Sequence, residues 1–348
     1  MCLNKFIRKA ACCVAFMCFF AVQGKGQEDC VVALETAWFL YDTGKFEEVP
    51  RLLKDCMVSG FSRLQMERAN RLLILAYLAA NQRAEAETTM HRLLRDNPLY
   101  SPHPSDSPEL RALFSEFSSK RIIAFSAFAG SNLSLARMIE QYGPYDPGTD
   151  HGSYSFRKPG FQTGAGLAVF PVSRVEIHLE GIYTYNSFVY SSLQHGFARV
   201  RAEETQQRIE FPASVTFDIL LSELAPYIRL GASYGMMMSA VTDYSRTHKN
   251  TGELFYSPFR STGINIDEKR TSQTLSAVAG AGIKLRAGRG DLFIDLRYFH
   301  SLTCMAVEDK RWEPQTVFDF FYAESDFRLD NLTISAGYRL PVYRIVNR

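Results

Sequence analysis

The sequence predicts an α + β multidomain protein in which short all-α helical hairpins precede an eight-stranded antiparallel transmembrane β-barrel. Three observations lead there. Between about 120 and 342, eight segments place apolar side chains at every second position, the period of a strand whose faces meet different surroundings. The gaps between these segments are alternately short and long, as in a barrel with tight turns at one end and loops at the other. Between about 28 and 98 the apolar period becomes that of a helix.

Residues 1–24 read as a secretory signal peptide. Lys5, Arg8 and Lys9 precede an uncharged apolar stretch from Ala10 to Val22, and Gly24 and Gly26 supply small residues for cleavage. The stretch is too short to span a bilayer as a helix. Its removal takes three basic groups and turns a formal charge of +2 into −1, which leaves no basic surplus for nucleic acid. Four of the seven cysteines go with it, and the remaining Cys30, Cys56 and Cys304 are too dispersed for a zinc site. Neither a metal nor a cofactor is expected.

Helical spacing covers 29–43, 46–57, 64–80 and 84–95, which makes two hairpins in succession. The run from Trp38 to Val49 resembles the turn of a tetratricopeptide repeat, with Gly44 opening the turn, Phe46 as the aromatic and Val49 as the small residue. The second hairpin aligns through Ala76, Tyr77, Ala86 and Pro98, although Asn81 stands in the Gly position and Arg83 replaces the aromatic. The resemblance implies a stacked helix pair, 28–98, that binds protein. Folding the first pair about Gly44 brings Cys30 and Cys56 together at its open end. A disulfide there would close a loop of about 26 residues and contribute roughly 3 kcal/mol; the alternative is two unlinked thiols packed as small hydrophobes. Residues 99–119, with Pro102, Pro104 and Pro108, read as a linker. It carries a short helix whose Ser107 is the N-cap and Pro108 the first helical residue.

Parity divides the barrel segments of 120–342. Leu167, Ile177, Leu179, Phe211, Val215, Ile228 and Leu230 fall on one face. The other face carries Glu176, His178, Glu180, Arg208, Glu210, Asp218, Arg229, Lys284, Asp295, Arg297 and Arg339. Eight strands enclose a space that side chains can fill. Mixed charges there are expected to pair, because an unpaired buried ion is costly, so the lumen reads as plugged. The first segment, Ile122 to Gly130, is apolar on both faces. Tyr183, Tyr185, Tyr298, Tyr338 and Phe170 are expected in interfacial girdles. Tight turns are read at 171–174, 221–225 and 287–290, and long polar loops at 132–158, 189–203, 242–270 and 306–325. Short turns belong in the periplasm, which places the helical domain there and the loops outside the cell.

The C-terminal half resembles the small outer-membrane β-barrel domains of Bacteroidota, some of which carry helical-repeat segments before the barrel. The likeness rests on the topology and on the final strand, Leu332 to Leu340, which alternates and holds Tyr338 as barrel-insertion signals do. A tail, 343–348, follows it. These motifs are generic to the fold and name no activity. A non-enzymatic protein is expected: the barrel anchors in outer-membrane lipid, the stacked helices bind a periplasmic protein partner, and the whole serves an envelope assembly or a transport or secretion complex. Oligomeric state is left open. One alternative is a small-solute channel. Another is a hydrolase at the rim, built from Asp150, His151, His195, Asp243 and His300; His91 and His103 lie apart, and Cys304 reads as an unpaired small residue.

Overall fold

The computed structural model describes residues 25–142, 152–194, 198–220, 222, 224–248, 259–320 and 322–347. The segment read as a signal peptide lies outside these residues, as do Asp150, His151 and His195. The chain divides into two compact units, one of residues up to Lys120 together with Tyr343 onward, the other Arg121–Val342. Among the described residues no helix is long and apolar enough to cross a membrane.

The first unit is built from α1 (Lys25–Asp42), α2 (Glu48–Leu53), α3 (Arg63–Ala79), α4 (Arg83–Asp96) and α5 (Pro108–Ser115). Helix α1 ends at Gly44 and α3 at Asn81, with φ of +83° and +59°. Each stop carries the same six-to-one bond that satisfies an orphan carbonyl: Lys45 N donates to Leu40 O at 2.9 Å and Gln82 N to Tyr77 O at 2.8 Å. Asn81 is the one described non-glycine residue with positive φ, a conformation its short amide tolerates. Helix α3 starts on a capping box. Gln65 N donates to Ser62 Oγ at 3.4 Å, and Ser62 N donates to Gln65 Oε1 at 2.8 Å.

Val49, Ala76 and Ala86 are fully buried in the unit's two apolar clusters, and Tyr77 packs against both. Phe46 lies 5.5 Å from the Tyr41 ring, and Pro98 is half-buried after α4. Cys30 and Cys56 are joined by a disulfide, with Cα atoms 5.6 Å apart. The segment read as a linker is part of this core. Tyr100, Leu110, Leu113 and Phe117 are buried with Leu93 and Leu94, and Ile345 of the tail packs against the same cluster. The prolines there shape a path over the core; they do not hold a spacer away from it.

The second unit is one antiparallel sheet of ten strands, where the sequence reading counted eight. They are β1 (Phe117–Glu140), β2 (Ser153–Phe156), β3 (Gly160–Val172), β4 (Val175–Gln194), β5 (Ala198–Asp218), β6 (Leu224–His248), β7 (Phe259–Asn265), β8 (Gln273–Ala287), β9 (Gly290–Ser301) and β10 (Asp326–Asn347). Pairing runs β4-β3-β1-β10-β9-β8-β6-β5 and returns from β5 to β4, so the sheet closes on itself. The extra strands are short: β2 pairs with β4 through Tyr154↔Tyr190, and β7 with β6 through Ser245↔Arg260. Helix α6 (Pro314–Phe320) lies between β9 and β10.

Much of what reads as long loop is strand. The polar tracts after residue 132, across 189–203 and after 242 continue the pairing of β1, β4, β5 and β6; Val189↔Glu203↔Asp243 is one such row. Their polarity marks a wall that has left the apolar band, since a laddered backbone satisfies its own polar groups whatever surrounds it. Phe170, assigned to a girdle, sits in a bulge between Val169 and Val172, where alternation breaks.

Candidate functional site

The inward side chains of β4 give the interior from the short-turn end upward: Glu176, His178, Glu180, Ile182, Thr184, Asn186, Phe188 and Tyr190, all buried. This single strand passes an ionic layer, an apolar layer, a polar cavity and an aromatic core.

The ionic layer comes first. Glu176 accepts from Lys284 Nζ at 2.7 Å and from Arg339 at 2.5 Å, and lies 3.0 Å from His178 Nε2. Lys284 also pairs with Asp218. Glu180 receives Arg229 at 2.8 Å and Arg297 beside it. Asp295 bridges the same two guanidiniums at 3.2 and 3.0 Å and accepts from Tyr227 Oη at 2.9 Å. Arg208 and Glu210 pair at 3.2 Å one level higher, across the apolar layer from the rest. Parity reading missed two members at the end of the barrel. Asp291 pairs with Arg339 at 3.2 Å and Arg121 at 3.5 Å. Asp291 follows the Gly290 turn on the parity of Asp295, the one signal that could have found it. Among the described residues of this lower section, six carboxylates (Glu176, Glu180, Glu210, Asp218, Asp291, Asp295) and six cations (Arg208, Arg229, Lys284, Arg297, Arg339 and, at the barrel end, Arg121) each have a partner of opposite sign.

Above this layer Phe128, Ile182, Val278, Phe293 and Phe299 pack across the lumen. Phe128 explains why the first barrel segment is apolar on both faces: its inner face meets this layer. The space among the ions is about 10 Å³, and the cavity beside Arg208 and Glu210 about 20 Å³. Each is room for about one water and not for a solute.

The upper interior has a different chemistry. Phe188, Met305, Phe327 and Leu329 form one apolar cluster, and Tyr190, Val200, Ala202, Tyr244, Phe320 and Tyr322 another. Arg270 is buried among them, with Glu204 at 2.7 Å and Glu324 at 2.8 Å. Burial alone would lower its pKa, but the two carboxylates more than offset it and hold the guanidinium charged. Burial, with Glu324 nearby, pushes the Tyr154, Tyr244 and Tyr322 hydroxyls well above their usual range.

Outside, the pattern inverts. Leu230 is 64% exposed, Ile294 60% and Leu179 58%, with Phe211, Val215, Ile283 and Ile334 among the other exposed apolar residues around the ring. Phe161 stacks on Tyr185 at 5.6 Å and packs near Tyr183 at 5.8 Å toward the loop end, while Tyr338 donates to Ala287 O at the short-turn end. The fold is therefore a β-barrel of the outer-membrane type: closed, apolar outward, polar inward.

Of the rim set, only Asp243 and His300 are among the described residues. Asp243 accepts from Gly263 N at 2.8 Å, whereas His300 lies 3.4 Å from Asp330, itself held by Tyr298 Oη at 2.7 Å. His103 bonds Ser105 in the helical unit, and Cys304 is half-buried near Ala306 O.

No protein-family model matches the chain, and no characterised protein matches it in sequence. Among solved structures, Neisserial surface protein A is similar at 12% identity over 65% of this chain and 99% of its own, with a TM-score of 0.33. Outer membrane protein OprG from Pseudomonas aeruginosa is similar at 10% identity over 64% and 98%, TM-score 0.31. The outer membrane protease OmpT from Escherichia coli is similar at 8% identity over 65% and 98%, TM-score 0.33. None of these likenesses assigns a role to a residue of this chain.

Proposed function

We propose that this is a non-enzymatic, integral outer-membrane protein, exported by residues 1–24 and anchored in lipid by its barrel. Its helical unit lies in the periplasm and binds a protein partner within an envelope assembly, such as a transport or secretion complex. One observation carries the anchoring: a closed ring exposes Leu, Ile and Phe on every side while its interior ions pair among themselves. Water would leave the outer band unsatisfied as a surface, and exposed apolar patches of this kind mark an interaction with something apolar. A filled lumen argues for an anchor over a small-solute channel.

The periplasmic placement of the helices is supported by topology, because β1 begins and β10 ends at the short-turn end of the ring. Partner binding is supported by α1, whose Val32 and Phe39 are 63% and 66% exposed on one helix face. Stacked hairpins commonly offer such faces to other proteins.

The test has two arms. The purified chain should require detergent, migrate differently in electrophoresis before and after boiling, and give no conductance in planar bilayers; steady conductance would favour the channel. A photo-crosslinker at Phe39 in cells should capture a defined protein that Val32→Glu releases. Crosslinking only to outer-leaflet components would overturn the periplasmic placement.

A further inference from the structure

A groove of about 430 Å³ opens between two short helical turns, Asp267–Lys269 and Glu308–Lys310, at the loop end of the barrel. That volume falls within the roughly 300–1,000 Å³ of small-molecule clefts. Trp312 lines it and is 55% exposed, which leaves a large aromatic surface available to a ligand. The platform is built to stay in place. Next to it, Arg311 lies 3.5 Å from the Tyr142 ring centroid and pairs with Asp326 at 2.7 Å, while its carbonyl accepts from Glu324 N at 3.3 Å. Val307 N donates to Lys269 O at 3.1 Å and ties the two turns together.

The lining selects the ligand. Six of its nine residues are polar, too many for a lipid tail. Lys310 pairs with Glu268 at 3.2 Å, and Lys269 with Glu313; with Asp309 the lining holds three acids and two bases, a net charge of −1. A polyanion would meet three carboxylates against two ammoniums, and a strongly basic peptide two ammoniums against three carboxylates, so neither finds a field of one sign. What remains is a neutral molecule with one weakly apolar, C–H-bearing face for the indole and hydroxyls for an amide, ammonium and carboxylate rim. We infer that this groove binds a neutral oligosaccharide, with Trp312 as the stacking platform and Asn265, Asp309 and Lys310 as hydroxyl partners. This goes beyond the anchoring function and does not depend on it, since binding is measured on the detergent-solubilised full chain.

The experiment uses Trp38→Phe, which leaves Trp312 as the sole indole of a chain that has two. The protein is held in a zwitterionic detergent without a sugar headgroup and titrated with neutral gluco-, galacto- and manno-configured di- to tetrasaccharides. Heparin and a polylysine peptide serve as charged comparisons. At least one neutral saccharide should shift the indole emission and shield it from iodide quenching. In calorimetry on the Trp38→Phe/Trp312→Ala protein the same saccharide should bind at least about tenfold more weakly, and Asp309→Asn should weaken it less. Heat-modifiable mobility must be unchanged in both variants; if Trp312→Ala fails to fold, Trp312→Leu replaces it with the same expectation. Absence of binding by every neutral saccharide, binding by heparin or the peptide alone, or binding that survives loss of the indole would each overturn the inference.

Discussion

The helical unit and the barrel unit bury opposite kinds of side chain. In the helices the largest fully buried residues are Leu53, Leu72, Ile74, Met90, Leu93, Leu94 and Leu110. In the barrel the bulkiest residue excluded from solvent is Arg297, while Leu230 and Ile294 face outward. One chain therefore follows two packing rules, and the difference teaches what surrounds each unit. Burying Leu93 is favourable by about 1.5–3 kcal/mol because the outside is water. Leu230 belongs to a continuous apolar ring with Ile294, Leu179, Phe211 and Ile334, and a patch of that extent marks an apolar surrounding. Burying Arg297 is tolerable only because Glu180 and Asp295 neutralise it.

The comparison can be broken most forcefully from within the lumen. Glu180→Ala should leave Arg229 and Arg297 sharing Asp295 alone and cost about 3–5 kcal/mol, read as the urea midpoint of barrel unfolding in lipid vesicles. A loss below about 1 kcal/mol would mean that water already fills the lumen. Leu230→Arg tests the outer face: it should cost about 2–4 kcal/mol if that residue meets the bilayer midplane, whereas an exposed position in water would tolerate it within about 0.5 kcal/mol. The helical unit answers to ordinary aqueous rules, so Ser62→Ala should remove the α3 cap and cost about 1 kcal/mol by thermal unfolding, with no effect on barrel mobility.

The smallest effect concerns pH. Because burial raises Tyr154, Tyr244 and Tyr322 above the usual value near 10, their stabilising contribution is complete below that pH. Above it the unfolded chain ionises first, so stability falls as pH rises. Phenolate absorbance should show these tyrosines silent until the upper section opens; early titration would mean that the aromatic core is open to water.

Legibility in the sequence followed the range of each interaction. Alternation separates Arg229 from Leu230 and Asp295 from Ile294 because strand parity is a local property. The helix stops at Gly44 and Asn81 are local as well. The extent of the wall was not legible: Tyr190, Val200 and Tyr244 look like loop residues until β4, β5 and β6 are paired far beyond the apolar band and aim them at one another. Arg270 carried no signal at all, since its partners Glu204 and Glu324 lie 66 and 54 positions away. The Pro-rich tract misled for a related reason: Tyr100, Leu110 and Leu113 owe their burial to helices already formed, not to any pattern of their own.

The pairing of β1 with β10 sets a rule for assembly. The strand synthesised first must wait for the one synthesised last, and until they meet the nascent sheet presents two raw margins able to recruit any passing strand. Such long-range closure is slow. Anything that covers both margins before the first and last strands meet would raise the yield of closed barrel without adding to its thermodynamic stability.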